Sequence, residues 1–168
     1  SCFLNKIMTT ITIISIGTLK EEYWREALRE YEKRLQPYCK LVSVQLKEEK
    51  SSSKNESAAI AEILRKEAQK IDEVLPPAKA FTIALCIEGK ALSSEDFAKV
   101  LEQAGTSGYS EIALIIGSSH GLSEEIKARA DLKLSFSKMT FPHQLARVIL
   151  AEQLYRAFQI LSGGKYHK

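Results

Sequence analysis

The chain has 168 residues, 45% of them apolar and 27% charged, with a formal net charge of +3. That length suits one domain with a sizeable core, and no apolar run approaches the roughly 18 residues of a membrane-spanning helix. Three widely spaced cysteines, Cys2, Cys39 and Cys86, form no CxxC pair or Cys/His cluster, so neither a disulfide framework nor a metal site is expected, and the chain fits the cytoplasm.

Residues 1–7 lack the layout of a signal peptide and are set aside as an N-terminal extension before a single domain over residues 8–168. Residues 10–17 are a β-branched run closed by glycine, the pattern of a buried strand. A helix over 21–35 carries Tyr23, Trp24, Ala27, Leu28, Tyr31 and Leu35 near a helical period, so its aromatic residues are expected in core packing. Pro37 ends it, and residues 39–46 alternate as a half-buried strand does. The polar, serine-rich stretch 47–56 reads as a mobile loop. A helix with one apolar stripe follows over 57–71 and stops before Pro76-Pro77.

Residues 80–87 form a buried strand, with Cys86 expected in the core. Ser93 or Ser94 caps the next helix, which runs to about Ala104. Residues 111–116 are a fourth strand, 123–129 a short helix and 132–136 a fifth strand. Pro142 fits the first turn of a long helix over 143–161, terminated by Gly163-Gly164.

Strands that are apolar throughout and alternate with helices predict an α/β fold with a parallel five-stranded sheet covered on both faces. Ligands of such sheets bind beyond the carboxyl ends of the strands, here residues 85–90, 116–122 and 134–143. Gly89, Gly117 and Gly121 let a ligand approach the backbone there, although each loop would serve equally as a plain turn. No G-x-G-x-x-G, P-loop or G-x-S-x-G pattern is present, which argues against a nucleotide-dependent oxidoreductase or a serine hydrolase. The segment Ser135-Phe136-Ser137-Lys138-Met139-Thr140-Phe141-Pro142-His143 is unusual. It is either a rigid turn capping the core or a shaped wall for a flat ring. From residue 131 onward six basic residues face two acidic ones, an excess suited to a polyanion or simply to a solvated helix face with a basic tail.

Particular stretches carry a resemblance. They are Ile16-Gly17-Thr18-Leu19-Lys20, Tyr31-Glu32-Lys33-Arg34-Leu35, Ile87-Glu88-Gly89-Lys90 and Ile116-Gly117-Ser118-Ser119-His120-Gly121-Leu122. The strongest runs from Leu134 to Gln144 and continues through Arg147, Glu152-Gln153 and Tyr155-Arg156-Ala157 to Tyr166-His167-Lys168. Together they resemble the SPOUT, or α/β-knot, methyltransferases, and among these the bacterial enzymes that methylate N3 of a pseudouridine in large-subunit ribosomal RNA. The resemblance covers nearly the whole chain from Met8. It implies a C-terminal trefoil knot, which patterning alone would not have yielded. It further implies a homodimer packed through the knot region, and S-adenosylmethionine held bent among the knot loops. The implied substrate is 23S ribosomal RNA, in the large subunit or the whole ribosome, with no membrane or metal involved.

By that resemblance the cofactor contacts are Leu85, Gly117, Phe136, Ser137, Lys138, Met139, Thr140 and Phe141, and Gly89 joins them from the strand-end reading. Pseudouridine N3 carries a proton at neutral pH, so a base removes it or a cation stabilises the rare anion. The candidates are His143, Arg147, Tyr166 and His167, of which Arg147 can act only as a cation. Arg156, Lys165 and Lys168 are expected on the RNA side, with Arg156 alternatively paired to Glu152 one turn earlier and the closing residues alternatively frayed. Ser118 stands where a second glycine is expected and His120 where asparagine is. A catalytically silent RNA-binding module of the same fold is the alternative reading.

Overall fold

Among the described residues ten elements alternate: β1 (Thr10–Ile16), α1 (Glu22–Leu35), β2 (Lys40–Leu46), α2 (Glu56–Val74), β3 (Ala80–Ala91), α3 (Ser94–Thr106), β4 (Glu111–Ile116), α4 (Glu124–Arg129), β5 (Leu132–Ser135) and α5 (His143–Leu161). They come from a computed structural model that describes residues 8–77 and 79–168, so the expected extension at 1–7 lies outside the described residues. The five strands form one sheet in the order β2-β1-β4-β3-β5, every pairing parallel. Residues of β1, β3 and β4 point alternately to two cores. Ile11, Ile13, Ile83, Ile112 and Leu114 meet Leu35 of α1, Phe97 and Leu101 of α3, and Leu150, Leu154 and Phe158 of α5. Ile14, Ile16, Ala84 and Ile115 meet Ala68 and Ile71 of α2 and Ile126 of α4. Each such fully buried aliphatic side chain stabilises the fold by about 1.5–3 kcal/mol relative to exposure. Among the described residues no helix is long and apolar enough to cross a membrane.

The helix starts follow local chemistry. Asn55, Ser93 and Ser123 each accept a backbone N–H of the first turn of α2, α3 and α4. Ser93 is therefore the cap of α3, and Ser94 is free to donate to Gln153 Oε1 at 2.7 Å. Pro142 sits one position before α5, and its carbonyl accepts the Ala146 N–H at 3.0 Å.

Three expectations need correction. The aromatic residues of α1 are not core: Tyr23 is 61% exposed, Trp24 and Tyr31 are half-buried, and Leu35 is the buried residue of the helix. Among the described residues the helix packs chiefly on α5. The stretch 47–56 is not a loose loop. Lys70 pairs with Glu49 and donates to the Lys47 carbonyl, Ser51 donates to Glu62, and the Glu49 N–H donates to Glu67. Finally, β3 does not stop at Ile87. It pairs with β5 at Ile83–Leu85, leaves it, and returns at Lys90 and Ala91, with Leu134 opposite both Leu85 and Lys90. Residues 86–89 are an excursion at the carboxyl end of the strand.

Candidate active site

A cleft of about 780 Å³ opens at the carboxyl ends of β3, β4 and β5. That is ample for a cofactor-sized ligand. Its first wall is the β3 excursion, Leu85, Cys86, Ile87 and Glu88. Cys86 is thus a half-buried cleft residue rather than a core one, its thiol pushed up by burial and by the Glu88 charge. Gly89 is absent from the lining for a reason of packing. A Cβ there would stand 2.7–2.8 Å from the backbone of Lys133 and Leu134, so the glycine lets the excursion close back onto β5.

The second wall is residues 117–122. The Gly121 N–H donates to the Ser118 carbonyl at 2.9 Å, and Gly121 takes a left-handed φ of +79°. A Cβ on Gly117 would overlap the Gly121 carbonyl, so that glycine serves the closure of the loop. Among the described residues no non-glycine residue has a positive φ, so Ser118 and His120 keep ordinary backbone. The Ser118 hydroxyl donates to Glu67 Oε1 at 2.8 Å, and both side chains are buried.

The third wall is the β5–α5 segment, where Phe136, Ser137, Met139, Thr140, Phe141, Pro142 and His143 reach the cleft. Ser135 donates to the Ser137 carbonyl, and Ser137 accepts the Met139 N–H, both at 3.0 Å, so the segment braces itself. Lys138 points outward and does not line the cleft. Across the mouth, Lys127 pairs with both Glu124 and Glu88. Those carboxylates hold the Lys127 ammonium above its ordinary pKa, and Lys127 chiefly holds the Glu88 carboxyl below its own.

Of the four residues proposed for proton chemistry, His143 alone lines the cleft. Its Nε2 and Glu48 Oε1 each lie 3.3 Å from where a Cβ of Gly17 would stand, and Gly17 has a φ of +104°. Arg147, one turn on, is 4% exposed and points away from the cleft. Its Nη1 donates to the Gly17 carbonyl at 3.4 Å, and with its amide oxygen turned inward Gln45 accepts from Nη1 at 3.1 Å and Nη2 at 2.6 Å. Burial lowers the Arg147 pKa from its ordinary value. A guanidinium so enclosed holds the end of β1 and β2 to α5.

Tyr166 and His167 lie beyond the end of α5, and they are not frayed. The Tyr166 hydroxyl donates to Glu152 Oε1 at 3.1 Å and its ring meets Tyr155 edge-on at 4.8 Å. Burial and the Glu152 charge push its phenol up to about 12, so near neutrality it is a hydrogen-bond donor and not a base. His167 bridges Glu95 Oε1 at 2.6 Å and Arg156 Nη1 at 3.2 Å. Arg156 also pairs with Glu152, as its spacing allowed, while Lys165 and Lys168 are exposed. A smaller hollow of about 280 Å³ shares Phe136 and Phe141 with the cleft and is lined by Ser93, Ser94 and Gln153, beside the anchors of this tail.

The sequence reading missed Lys127 and Glu67. Glu67 did carry a signal, since it falls on the apolar stripe of α2 between Ile63 and Ile71, where an acid must find a partner.

Residues 9–167 match the family model described as "Predicted SPOUT methyltransferase". Among solved structures, the chain is similar to a probable methylase family protein from Haemophilus influenzae Rd KW20, with a TM-score of 0.54 and 16% identity over 94% of this chain and 70% of that one. It is also similar to the SpoU methyltransferase AviRb from Streptomyces viridochromogenes, with a TM-score of 0.44 and 12% identity, covering 94% of this chain and 61% of that one. The complex of AviRb with the cofactor AdoMet scores 0.47 at 11% identity, covering 98% of this chain and 62% of that one.

Proposed function

The chain belongs to the SPOUT methyltransferase family, and we propose that it transfers the methyl group of S-adenosylmethionine to N3 of a pseudouridine in 23S ribosomal RNA, on the large subunit or the whole ribosome, in the cytoplasm. The observation that carries this reading is the cleft. Leu85, Gly117, Phe136, Ser137, Met139, Thr140 and Phe141 converge on it from three separate strand ends, and these are the positions at which the resemblance implies cofactor contacts. The residues fit that cofactor: Leu85, Phe136 and Phe141 offer apolar surface for a flat ring, and the backbone of 117–122 and 136–141 offers a few fixed polar groups. When bound, S-adenosylmethionine supplies an electrophilic methyl carbon on a sulfonium.

The transfer forms an N–C bond, breaks an S–C bond and releases the N3 proton. The protein has to hold N3 in line with the methyl group and keep water out. In this reading His143 receives the N3 proton, because Arg147 is permanently charged and enclosed and the Tyr166 phenol titrates too high. Tyr166, His167, Arg156, Lys165 and Lys168 act on the RNA side. They stand apart from the cleft of their own chain, so they serve the cleft of a second copy in a homodimer. The segment after β5 is threaded as a trefoil knot.

The test is mass mapping of ribosomal RNA after purified protein and S-adenosylmethionine are added to ribosomes lacking the modification. One added methyl group on a large-subunit pseudouridine is expected. Ribosome binding without methyl transfer would leave only the silent-module reading. Absence of S-adenosylmethionine binding at millimolar ligand, by calorimetry, would overturn the methyltransferase reading itself.

A further inference from the structure

We infer that Glu67 of α2 is the positioning residue of the methyl-donor loop, fixing residues 117–121 from beneath the cleft and joining them to the stretch 47–53. Glu67 is 2% exposed, and its two carboxylate oxygens are divided. Oε1 accepts the Ser118 hydroxyl at 2.8 Å, and Oε2 accepts the Glu49 N–H at 3.1 Å. The Ser118 oxygen in turn receives the His120 N–H at 3.4 Å. One buried side chain thus orients the residue that opens the turn between Gly117 and Gly121, and the turn forms a wall of the cleft.

The chemistry explains the serine. A second glycine at 118 would leave the loop mobile and a buried Glu67 oxygen without its donor, and a buried acceptor left unmade is costly. The serine hydroxyl supplies that donor and ties down the loop from below. The far end of the link matters too. The Glu49 N–H belongs to the stretch whose Glu48 lies beside His143 across Gly17. Glu67 therefore ties the loop under the donor to the strand end beside the proposed acceptor of the N3 proton.

This inference rests on the cofactor reading above, and the experiment separates the two. S-adenosylmethionine affinity by calorimetry, methylation kinetics on ribosomes and thermal unfolding are measured for the wild type, Ser118→Ala, Glu67→Ala, Glu67→Gln and the double variant Glu67→Ala/Ser118→Ala. Ser118→Ala and Glu67→Ala are expected to weaken cofactor binding about tenfold, seen in KM for the cofactor, with kcat at saturation within about twofold. Glu67→Gln recovers affinity to within about threefold, because its amide oxygen accepts the Glu49 N–H while its NH2 donates to the Ser118 oxygen. The double variant binds no more weakly than Glu67→Ala, as expected for two ends of one bond. Glu62→Gln, which loosens the Ser51 contact and the Lys66 pair of the same stretch without touching Glu67 or Ser118, leaves affinity unchanged. A lower melting temperature with unchanged affinity in both alanine variants would reduce Glu67 to a packing residue and overturn the inference, as would additive losses in the double variant. If the wild type itself binds no cofactor, the methyltransferase reading falls and the inference with it.

Discussion

Gly89 and Gly117 are both glycines at strand ends, and by sequence either lets a ligand come close. In the fold each has a different partner. At Gly117 the missing side chain is needed by the Gly121 carbonyl, and at Gly89 by the backbone of β5. Sequence spacing cannot separate these reasons, because a close approach of backbone and a close approach of ligand demand the same residue. A substitution separates them. Gly89→Ala places a methyl group 2.7–2.8 Å from main-chain atoms of Lys133 and Leu134, which cannot rotate away as a side chain can. It is expected to lower the unfolding free energy by about 1–3 kcal/mol, the usual range for overpacking. Urea denaturation reads this directly. A variant as stable as the wild type would mean that β5 yields easily and that the excursion of β3 is not held by this contact.

Elements were the most legible scale, and the reasons are local. β1, β3 and β4 announce themselves as unbroken apolar runs because both faces of a central parallel strand are buried. The helices α2, α3 and α4 announce themselves through capping residues, and α2 also through one apolar stripe. The excursion at 86–89 was invisible, since residues 80–91 carry no proline and the single glycine reads as a turn. The closing segment was illegible for another reason: its order comes from partners on two other helices, Glu95 of α3 and Glu152 of α5. Its anchoring makes a pH prediction. The hydrogen bond from His167 holds the Glu95 carboxyl below its ordinary 4.5. A depressed carboxyl contributes to docking above its ordinary pKa and loses that contribution as pH falls through its lowered value. The Tyr166 and His167 resonances in NMR should therefore shift toward those of a free peptide below about pH 4.5, and Glu95→Gln should abolish the transition. Resonances that stay unchanged under acid would place the anchor elsewhere. In the same element, deleting Tyr166–Lys168 should leave cofactor affinity nearly intact while sharply reducing ribosome methylation. Undiminished turnover would make the tail dispensable.

At the scale of the molecule, the positive charge that looked concentrated at the C-terminal end divides on inspection. Arg147 is enclosed and Arg156 is paired, which leaves Lys133, Lys138, Lys165 and Lys168 at the surface. Four exposed lysines make a weak field for bare RNA, so shape and a second copy of the chain have to supply the rest of the recognition. The sheet order β2-β1-β4-β3-β5 follows from parallel crossovers, but threading of a knot cannot be read from patterning, because hydrophobic periodicity carries no information about which loop a segment passes through. The exposed flank of α1 bears on the proposed homodimer. Tyr23 is 61% exposed beside a half-buried Trp24, their rings 5.1 Å apart, on a helix whose other side already lies on α5. Adjacent large aromatics left in water are what a self-complementary interface would cover. Sedimentation equilibrium should therefore give twice the chain mass of 18.8 kDa. Tyr23→Asp should shift the population toward single chains, because a new carboxylate in an apolar interface has to be desolvated. The cofactor cleft lies away from Tyr23, so S-adenosylmethionine binding should survive in that variant while methylation falls with the dimer fraction. A single chain with full turnover would refute the shared site and oblige the tail to act on the cleft of its own chain.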